Sequence, residues 1–187
     1  TEPCPASKCD GCGDTIAFIQ ENRSLRGKFE TYHCYQCGVD IGVQTPNGPI
    51  GTETVLETDW LLDGRTLNQA WDSFGGSYWF TQATEDREKA AVASLNIEAE
   101  NSHPSFNPYN PDSTKAHLCG TDEYCVGYIT WDNSHAEPEL GQLYILPEFR
   151  RQGIGQGFVA AWRDDVASPL TKIRVNNPNS DMYRLLR

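Results

Sequence analysis

The chain has 187 residues with 26 acidic and 15 basic side chains, which gives a net charge of −11. This balance argues against a protein that binds nucleic acid through a broad basic surface. No apolar run approaches the roughly 18 residues of a membrane-spanning helix, and no signal peptide is recognisable. We therefore expect a soluble, cytoplasmic protein, long enough for a small module and one α/β domain.

The basic residues are also biased in kind, with five lysines against ten arginines. An acidic, lysine-poor surface is typical of proteins adapted to high salt. At molar salt the Debye length falls to about 3 Å, which screens the self-repulsion of such a surface. We expect a halophilic protein, with an ordinary acidic protein as the alternative.

The first 45 residues contain two Cys-x-x-Cys-Gly motifs, which supply Cys9, Cys12, Cys34 and Cys37. Four thiolates at this spacing suit a tetrahedral Zn²⁺ ion, with paired disulfides or a ligand role for His33 as alternatives. Residues 15–20 and 28–33 are predicted to form the strands of a hairpin that holds the motifs together. Residues 1–45 therefore resemble a zinc ribbon, whose metal would supply most of its folding energy.

The ribbon has four basic and six acidic residues, so its net charge is 4 − 6 = −2. This charge lacks the basic stripe that phosphate binding needs. We expect the ribbon to dock on a protein partner. Arg23, Arg26 and Lys28 at the predicted hairpin tip leave nucleic acid as a lesser alternative.

Residues 46–51 are rich in proline and glycine and are predicted to link the ribbon to a second domain at 52–187. In that domain, alternation predicts a strand at 52–57, and helical spacing predicts a helix from Asp63 or Thr66 to Phe74. A short strand or aromatic cover is predicted at 77–81.

A second helix is predicted from Thr84 or Asp86 to about Ile97. Residues 98–114 are polar and contain three prolines, so we expect either a lid or docking loop or a disordered insertion. His103, His117 and His135 share no pattern and are predicted to lie in loops or on the surface. Cys119 and Cys125 flank a predicted turn, and buried thiols are expected, with a disulfide as the alternative.

Two β-rich runs, Tyr124–Trp131 and Glu139–Leu146, precede the most informative motif of the chain. Residues 150–155 read Arg-Arg-Gln-Gly-Ile-Gly, and residues 156–162 have apolar side chains at helical spacing. Glycines allow a tight turn that gathers N–H groups, and the helix start adds its own unpaired donors and positive dipole end. The loop is therefore suited to a phosphate group.

This stretch closely resembles the acetyl-CoA pyrophosphate loop of the GNAT N-acetyltransferase superfamily. The similarity covers about residues 115–186: the two runs resemble the central hairpin of the family, and a short strand is expected at 171–175. Asn176, followed seven residues later by Tyr183, resembles the family's last conserved segment. The resemblance implies an α+β protein, in which a small zinc ribbon precedes a GNAT-like α/β domain with a mixed, mostly antiparallel central sheet.

The resemblance also implies roles for individual residues. Glu139, eleven positions before Arg150, would be the general base, with Glu137 as the alternative, and Tyr183 would protonate the departing thiolate. The backbone of Leu143 and Ile145 would pair with the pantetheine arm of acetyl-CoA. The other cofactor-binding residues would be Arg150, Arg151, Gln152, Gly153, Ile154, Gly155, Gln156 and Asn176.

The expected function is acetyl transfer from acetyl-CoA to an amine whose identity the sequence does not give. Family members continue after the tyrosine with a Gly-Phe pair and a final strand, whereas this chain stops at Arg187. This departure predicts either an early end or a strand contributed by another chain. The alternative function is a non-catalytic GNAT-fold subunit of a larger assembly, and an acetyltransferase acting on nucleic acid or a ribosome-associated substrate is a weaker third.

Overall fold

A computed structural model describes residues 19–34, 40–45, 48–51, 69–73, 76–121, 125–167 and 172–187. In these ranges, four strands form a first sheet and six strands form a second, main sheet, with helices on both faces of the main sheet. The mixed α+β class expected from the sequence is therefore observed. Within the described ranges, no helix has both the length and the apolar character needed to cross a bilayer.

The first sheet is an antiparallel meander of β1 (Ile19–Arg26), β2 (Phe29–Cys34), β3 (Asp40–Thr45) and β4 (Gly48–Gly51). Gly27 lies in the turn between β1 and β2 with φ of 56°, a conformation that favours glycine. The first strand of this hairpin continues to residue 26, beyond its predicted end. Residues 48–51, predicted to belong to a linker, instead form an edge strand, a position that tolerates Pro49 because one side of the strand needs no hydrogen bonds.

The main sheet contains β5 (Gln69–Ser73), β6 (Gly76–Gln82), β7 (Lys115–Gly120), β8 (Cys125–Asp132), β9 (Glu139–Ile145) and β10 (Arg174–Val175) in spatial order. Neighbouring strands are antiparallel except β9 and β10, which run parallel. The predicted hairpin of β8 and β9 is confirmed. The strand expected at 171–175 is shorter than predicted.

The predicted helix ending at Phe74 is wrong for residues 69–73, which form β5. This segment pairs with β6 along its whole length, from Gln69 opposite Phe80 to Ser73 opposite Gly76. Pairing with a partner strand overrides the local periodicity from which a helix was inferred. The start of that helix and the strand predicted at 52–57 lie outside the described residues.

Helix α1 (Asp86–Ser102) begins close to its predicted start because Glu88 caps it. The Glu88 carboxylate accepts hydrogen bonds from the N–H groups of Thr84 and Glu85, each at 2.8 Å. The helix continues past its predicted end at Ile97 to Ser102. Residues 103–114, the remainder of the predicted polar loop, are fastened to the core, since Tyr109 is buried and the Phe106 ring meets Tyr144 edge-on at 5.5 Å.

Helix α1 lies between the two sheets, and residues 90–97 are buried without interruption. A helix covered all round needs small or apolar side chains on every face, which its alanines provide. Phe29 and Val43 of the first sheet belong to the same apolar cluster as α1 and the main sheet. The first sheet therefore completes the core of the larger unit, whereas the sequence predicted a separate domain whose metal supplies most of its folding energy.

A buried arginine joins the first sheet to α1. The Arg26 guanidinium donates hydrogen bonds to Asn96 Oδ1 at 2.6 Å and to both carboxylate oxygens of Glu100 at 2.8 and 3.0 Å, and it pairs with Asp40 at 3.3 Å. Burial opposes the charge, but the two carboxylates outweigh it and raise the pKa of Arg26. Arg26, predicted to lie at an exposed hairpin tip, is therefore not available to nucleic acid.

The other face of the main sheet is covered by helix α2 (Ile154–Val166) and bordered by the short helix α3 (Ser180–Leu185). Ile154, Phe158 and Trp162 recur at intervals of four residues and are buried against this face. The predicted helix at 156–162 is confirmed, and it is longer at both ends. A single 3₁₀ turn, Pro147–Phe149, connects β9 to the glycine loop.

Candidate functional site

Strand β9 contains a bulge at Gly141. Trp131 of β8 pairs with Leu140, and Thr130 pairs with Gln142, so Gly141 has no partner in β8. The Gln142 N–H donates to Thr130 Oγ1 at 3.0 Å. The extra residue shifts the alternation, so that Leu140 and Leu143, three positions apart, both pack on the α2 face.

Strand β10 leaves β9 at this bulge. Arg174 and Val175 pair with Glu139 and Leu140, and the Asn176 N–H donates to Leu140 O at 2.9 Å. Beyond that point, no described strand pairs with β9 on the β10 side. The main sheet therefore splits along one edge of β9, from Gly141 to its end.

The split exposes the two backbone positions that the sequence predicts for the pantetheine arm. Tyr144 pairs with Tyr128, and the Leu146 N–H donates to Val126 O at 2.9 Å, so these residues direct their peptide groups toward β8. In an antiparallel ladder the intervening residues point the other way. Leu143 and Ile145 therefore direct their peptide groups toward the gap between β9 and β10.

A hydrogen-bond chain supports the bulge from the α1 face. Asn96 Nδ2 donates hydrogen bonds to Tyr128 Oη at 2.8 Å and to Asn107 O at 3.0 Å. Asn96 Oδ1 accepts hydrogen bonds from Arg26 and, at 2.7 Å, from the Tyr109 N–H. Burial raises the pKa of Tyr128, so its hydroxyl stays protonated and can donate to Gln142 Oε1 at 3.2 Å. Gln142, the residue next to the bulge, is thus connected through Tyr128 and Asn96 to Arg26 of the first sheet.

The segment after β9 folds back over the end of the strand. Arg150 Nε donates to Ile145 O at 2.7 Å, and the guanidinium lies over the Tyr144 ring at 5.2 Å. Arg151 and Gly153 have φ of 60° and 77°, and Gly153 is the N-cap of α2. No side chain caps this helix, so the N–H groups of its first turn point outward without intrahelical acceptors.

The predicted loop residues lie together at this helix start. Arg150, Arg151 and Gln152 form the turn, Gly153 is the cap, and Ile154, Gly155 and Gln156 begin α2. Ile154 is buried, so only its backbone is available to a ligand. Outward N–H groups, the helix dipole and two exposed arginines make the loop suitable for an anion. Asn176 is exposed where β10 ends.

Glu139 lies on the sheet face opposite to α2, because it alternates with Leu140. Its carboxylate pairs with Arg174 Nε at 3.3 Å, and 19% of its side chain is exposed. Glu137 precedes the strand and is half-buried. The gap between β9 and β10 thus has a carboxylate on one face and the glycine loop on the other.

Helix α3 borders the gap on the α2 side. Tyr183, predicted to be the general acid, lies on this helix with 58% of its surface exposed. Leu185 follows two positions later and packs against the cluster under α2. A cavity of about 570 Å³ lies between α2, the residues around β10 and the C-terminal residues, and its lining includes Gln156, Val159, Arg163, Lys172, Val175 and Leu185.

His117 is buried in the core, although a loop or surface position was predicted. Its Nδ1 accepts from Trp131 Nε1–H at 2.9 Å, so its proton lies on Nε2, which donates to Asp165 Oδ2 at 2.8 Å. Burial lowers the pKa of His117, partly opposed by Asp165. The residue joins β7 to α2, and its place inside an apolar strand run was the signal for burial.

Cys119 and Cys125 are buried free thiols, as expected. Burial raises the pKa of both thiols above the ordinary value, so they stay protonated and unreactive.

The predicted metal ligands cannot be placed, because Cys9, Cys12 and Cys37 lie outside the described residues and only the backbone of Cys34 is described. In the part of the chain that the structure describes, no three metal-binding side chains come together. His33, the alternative ligand, pairs with Asp40 Oδ1 at 2.9 Å.

No family model and no curated protein matches the sequence. Among solved structures, the chain is similar to ribosomal-protein-alanine N-acetyltransferase from Brucella melitensis biovar Abortus 2308, with 14% identity, a TM-score of 0.46 and coverage of 58% of this chain and 86% of that one. It is also similar to an aminoglycoside acetyltransferase from an uncultured soil metagenomic sample, with 17% identity, a TM-score of 0.40 and coverage of 58% and 82%. At these values the similarities do not assign the chain to a family.

Proposed function

We propose that the chain is an acetyl-CoA-dependent N-acetyltransferase that acetylates an amine. The observation that carries this proposal is the parting of β9 and β10 directly before an uncapped, glycine-rich helix start. The open edge offers the peptide groups of Leu143 and the N–H of Ile145 to an arm that itself contains amides, while the Ile145 carbonyl accepts from Arg150 Nε. The helix start offers N–H donors to a pyrophosphate group.

The arrangement suits direct transfer across the gap. The amine nitrogen attacks the thioester carbonyl carbon, the C–S bond breaks, and the proton lost by the amine passes to the Glu139 carboxylate. The thiolate takes a proton from Tyr183. Arg174, 3.3 Å from the Glu139 carboxylate, would hold the base on the face opposite to the loop. Each proton transfer is worth about 10²- to 10⁴-fold in rate.

Calorimetric titration of acetyl-CoA at low and molar KCl tests the cofactor site. We expect stoichiometric binding that is lost in Gly153→Glu, because the variant adds a negative charge and a side chain at a left-handed position. Ala136→Glu, which adds the same charge at an exposed site between β8 and β9, is the control. Equal binding by Gly153→Glu would contradict the loop assignment. No binding at either salt would favour a non-catalytic subunit.

The assignment of the base is tested by comparing two carboxylate variants. We expect Glu139→Gln to lower turnover at unchanged acetyl-CoA affinity, and Glu137→Gln to leave turnover near that of the wild type. The reverse result would move the base to Glu137. Wild-type turnover for both variants between about pH 6 and pH 9 would remove both from the mechanism.

We also propose that Cys9, Cys12, Cys34 and Cys37 bind one Zn²⁺ ion and that the ribbon docks on a protein partner. The spacing of the cysteines supports the metal, and the first sheet provides the hairpin that ends at Cys34. The wild type should contain about one zinc per chain by elemental analysis, and Cys9→Ser should lose it. Cys4→Ser is the control, and zinc retained by Cys9→Ser would contradict the site.

A further inference from the structure

Helix α3 places a leucine between the glycine loop and the open edge of β9. A Cβ atom added to Gly155 would lie 2.7 Å from Leu185 Cδ1 and 3.8 Å from Leu143 Cδ2. Leu185 therefore packs directly on the first turn of α2, at the point where that turn faces the open strand.

The same leucine also lines the cavity. The cavity of about 570 Å³ extends along the face of α2 formed by Gln156, Val159 and Arg163. Lys172 and Arg187 also line it, so cations border a cavity in a chain of net charge −11. The open edge and this cavity are two spaces in contact with one side chain.

Helix α3 is held to the rest of the molecule by few described contacts. It has no buried residue, and Met182 and Leu185 are its only partly buried apolar side chains among the described residues. Gln156 Nε2 donates to Leu185 O at 3.3 Å. The Asn179 side chain caps the helix by accepting the Met182 N–H at 2.9 Å. Few buried contacts and an intact cap favour movement of α3 as a unit.

We propose that Leu185 is a gate, and that acetyl-CoA binds only when α3 withdraws this side chain from Gly155. This inference rests on the proposed function. A ligand with its pyrophosphate at the loop and its arm along Leu143 and Ile145 must pass the space that Leu185 fills. Withdrawal of the side chain would join the open edge and the cavity into one cleft. The apparent affinity is then reduced by the fraction of molecules that are closed.

The test is acetyl-CoA binding and association kinetics in the full chain with three variants. Leu185→Ala shortens the gate, so we expect about three- to tenfold tighter binding and faster association. Leu185→Met keeps a side chain of similar volume and should bind as the wild type does. Leu186→Ala removes the adjacent leucine, which lines the cavity and is 40% exposed, and should also bind as the wild type does.

The outcomes separate the gate from the proposed function. Tighter binding by Leu185→Ala alone, or binding by Leu185→Ala when the wild type binds nothing, supports the gate. Unchanged or weaker binding by a folded Leu185→Ala, with the wild type binding, overturns the gate and leaves the proposed function standing. An equal gain in Leu186→Ala overturns it as well, since general loosening of α3 then explains the effect. No binding by any variant overturns both proposals.

Discussion

The two faces of the main sheet are stabilised in different ways. On the α1 face, a second sheet and a buried polar network hold α1 and the bulge of β9 in place. On the α2 face, apolar packing ends beside β10. There the gap between β9 and β10 and the cavity lie next to α3, a helix without a buried residue. In the proposed mechanism a ligand cleft opens on one face while the opposite face keeps the strand edge fixed.

Removal of the centre of the polar network should have the largest effect. Asn96→Ala removes one of the acceptors of the buried Arg26 guanidinium and the acceptor of the Tyr109 N–H, so we expect a loss of about 2–4 kcal/mol in the free energy of unfolding. Urea denaturation measures this loss. Asn101→Ala, on the same helix but exposed and bonded only to Asp40 O among the described contacts, should cost less than about 0.5 kcal/mol. Similar losses for the two variants would contradict the interpretation that the polar network holds the α1 face in place.

The contribution of His117 to the free energy of unfolding should depend on pH, with an effect of intermediate size. This dependence tests how the α2 face is joined to β7. Its folded pKa is lowered, so its stabilisation is complete above the ordinary value of about 6.5 and is lost as pH falls through the folded pKa. The expected loss is about 1.4 kcal/mol for each unit by which the pKa is lowered. Denaturation of the wild type and His117→Gln between about pH 7 and pH 5 measures it. If the free energies of unfolding of the two proteins changed equally with pH, the pKa of His117 would not differ between the folded and unfolded states.

The contact of α3 with α2 should give the smallest effect, measured as a coupling energy. Gly155→Ala should be more favourable by about 0.5–1 kcal/mol in the Leu185→Ala background than in the wild type, because the clash with Leu185 Cδ1 is removed. Because the same Gly155→Ala change is compared in two backgrounds, this double-mutant cycle cancels the higher helix propensity of alanine. The same cycle with Leu186→Ala should show no coupling, and equal coupling in both cycles would contradict the contact.

Locally encoded features were predictable from the sequence. The strands β8 and β9, the glycine loop and α2 depend on alternation, helical spacing and glycines within a few residues of one another. The glycine within β9 was also a signal of a bulge. The loop follows from these local patterns, whereas the two backbone positions at the open edge were implied by the family resemblance.

Features that depend on distant partners were not predictable. Arg26 looks like a hairpin-tip charge until Asn96, 70 positions later, is placed beside it. Residues 69–73 become a strand because β6 pairs with them, and α1 extends beyond Ile97 because the first sheet covers it. The position of Leu185 against Gly155 depends on how the chain returns after β10, and no local pattern specifies that return.

The bulge at Gly141 acts as a phase shift in β9. Leu140 and Leu143 face the same side although an odd number of positions separates them. A substitution scan along the strand should therefore show tolerance to polar residues with a period of two that slips by one position at Gly141. If β9 is aligned without a gap at Gly141 with a strand that lacks the bulge, the residues on one side of Gly141 are assigned to the wrong face of the sheet.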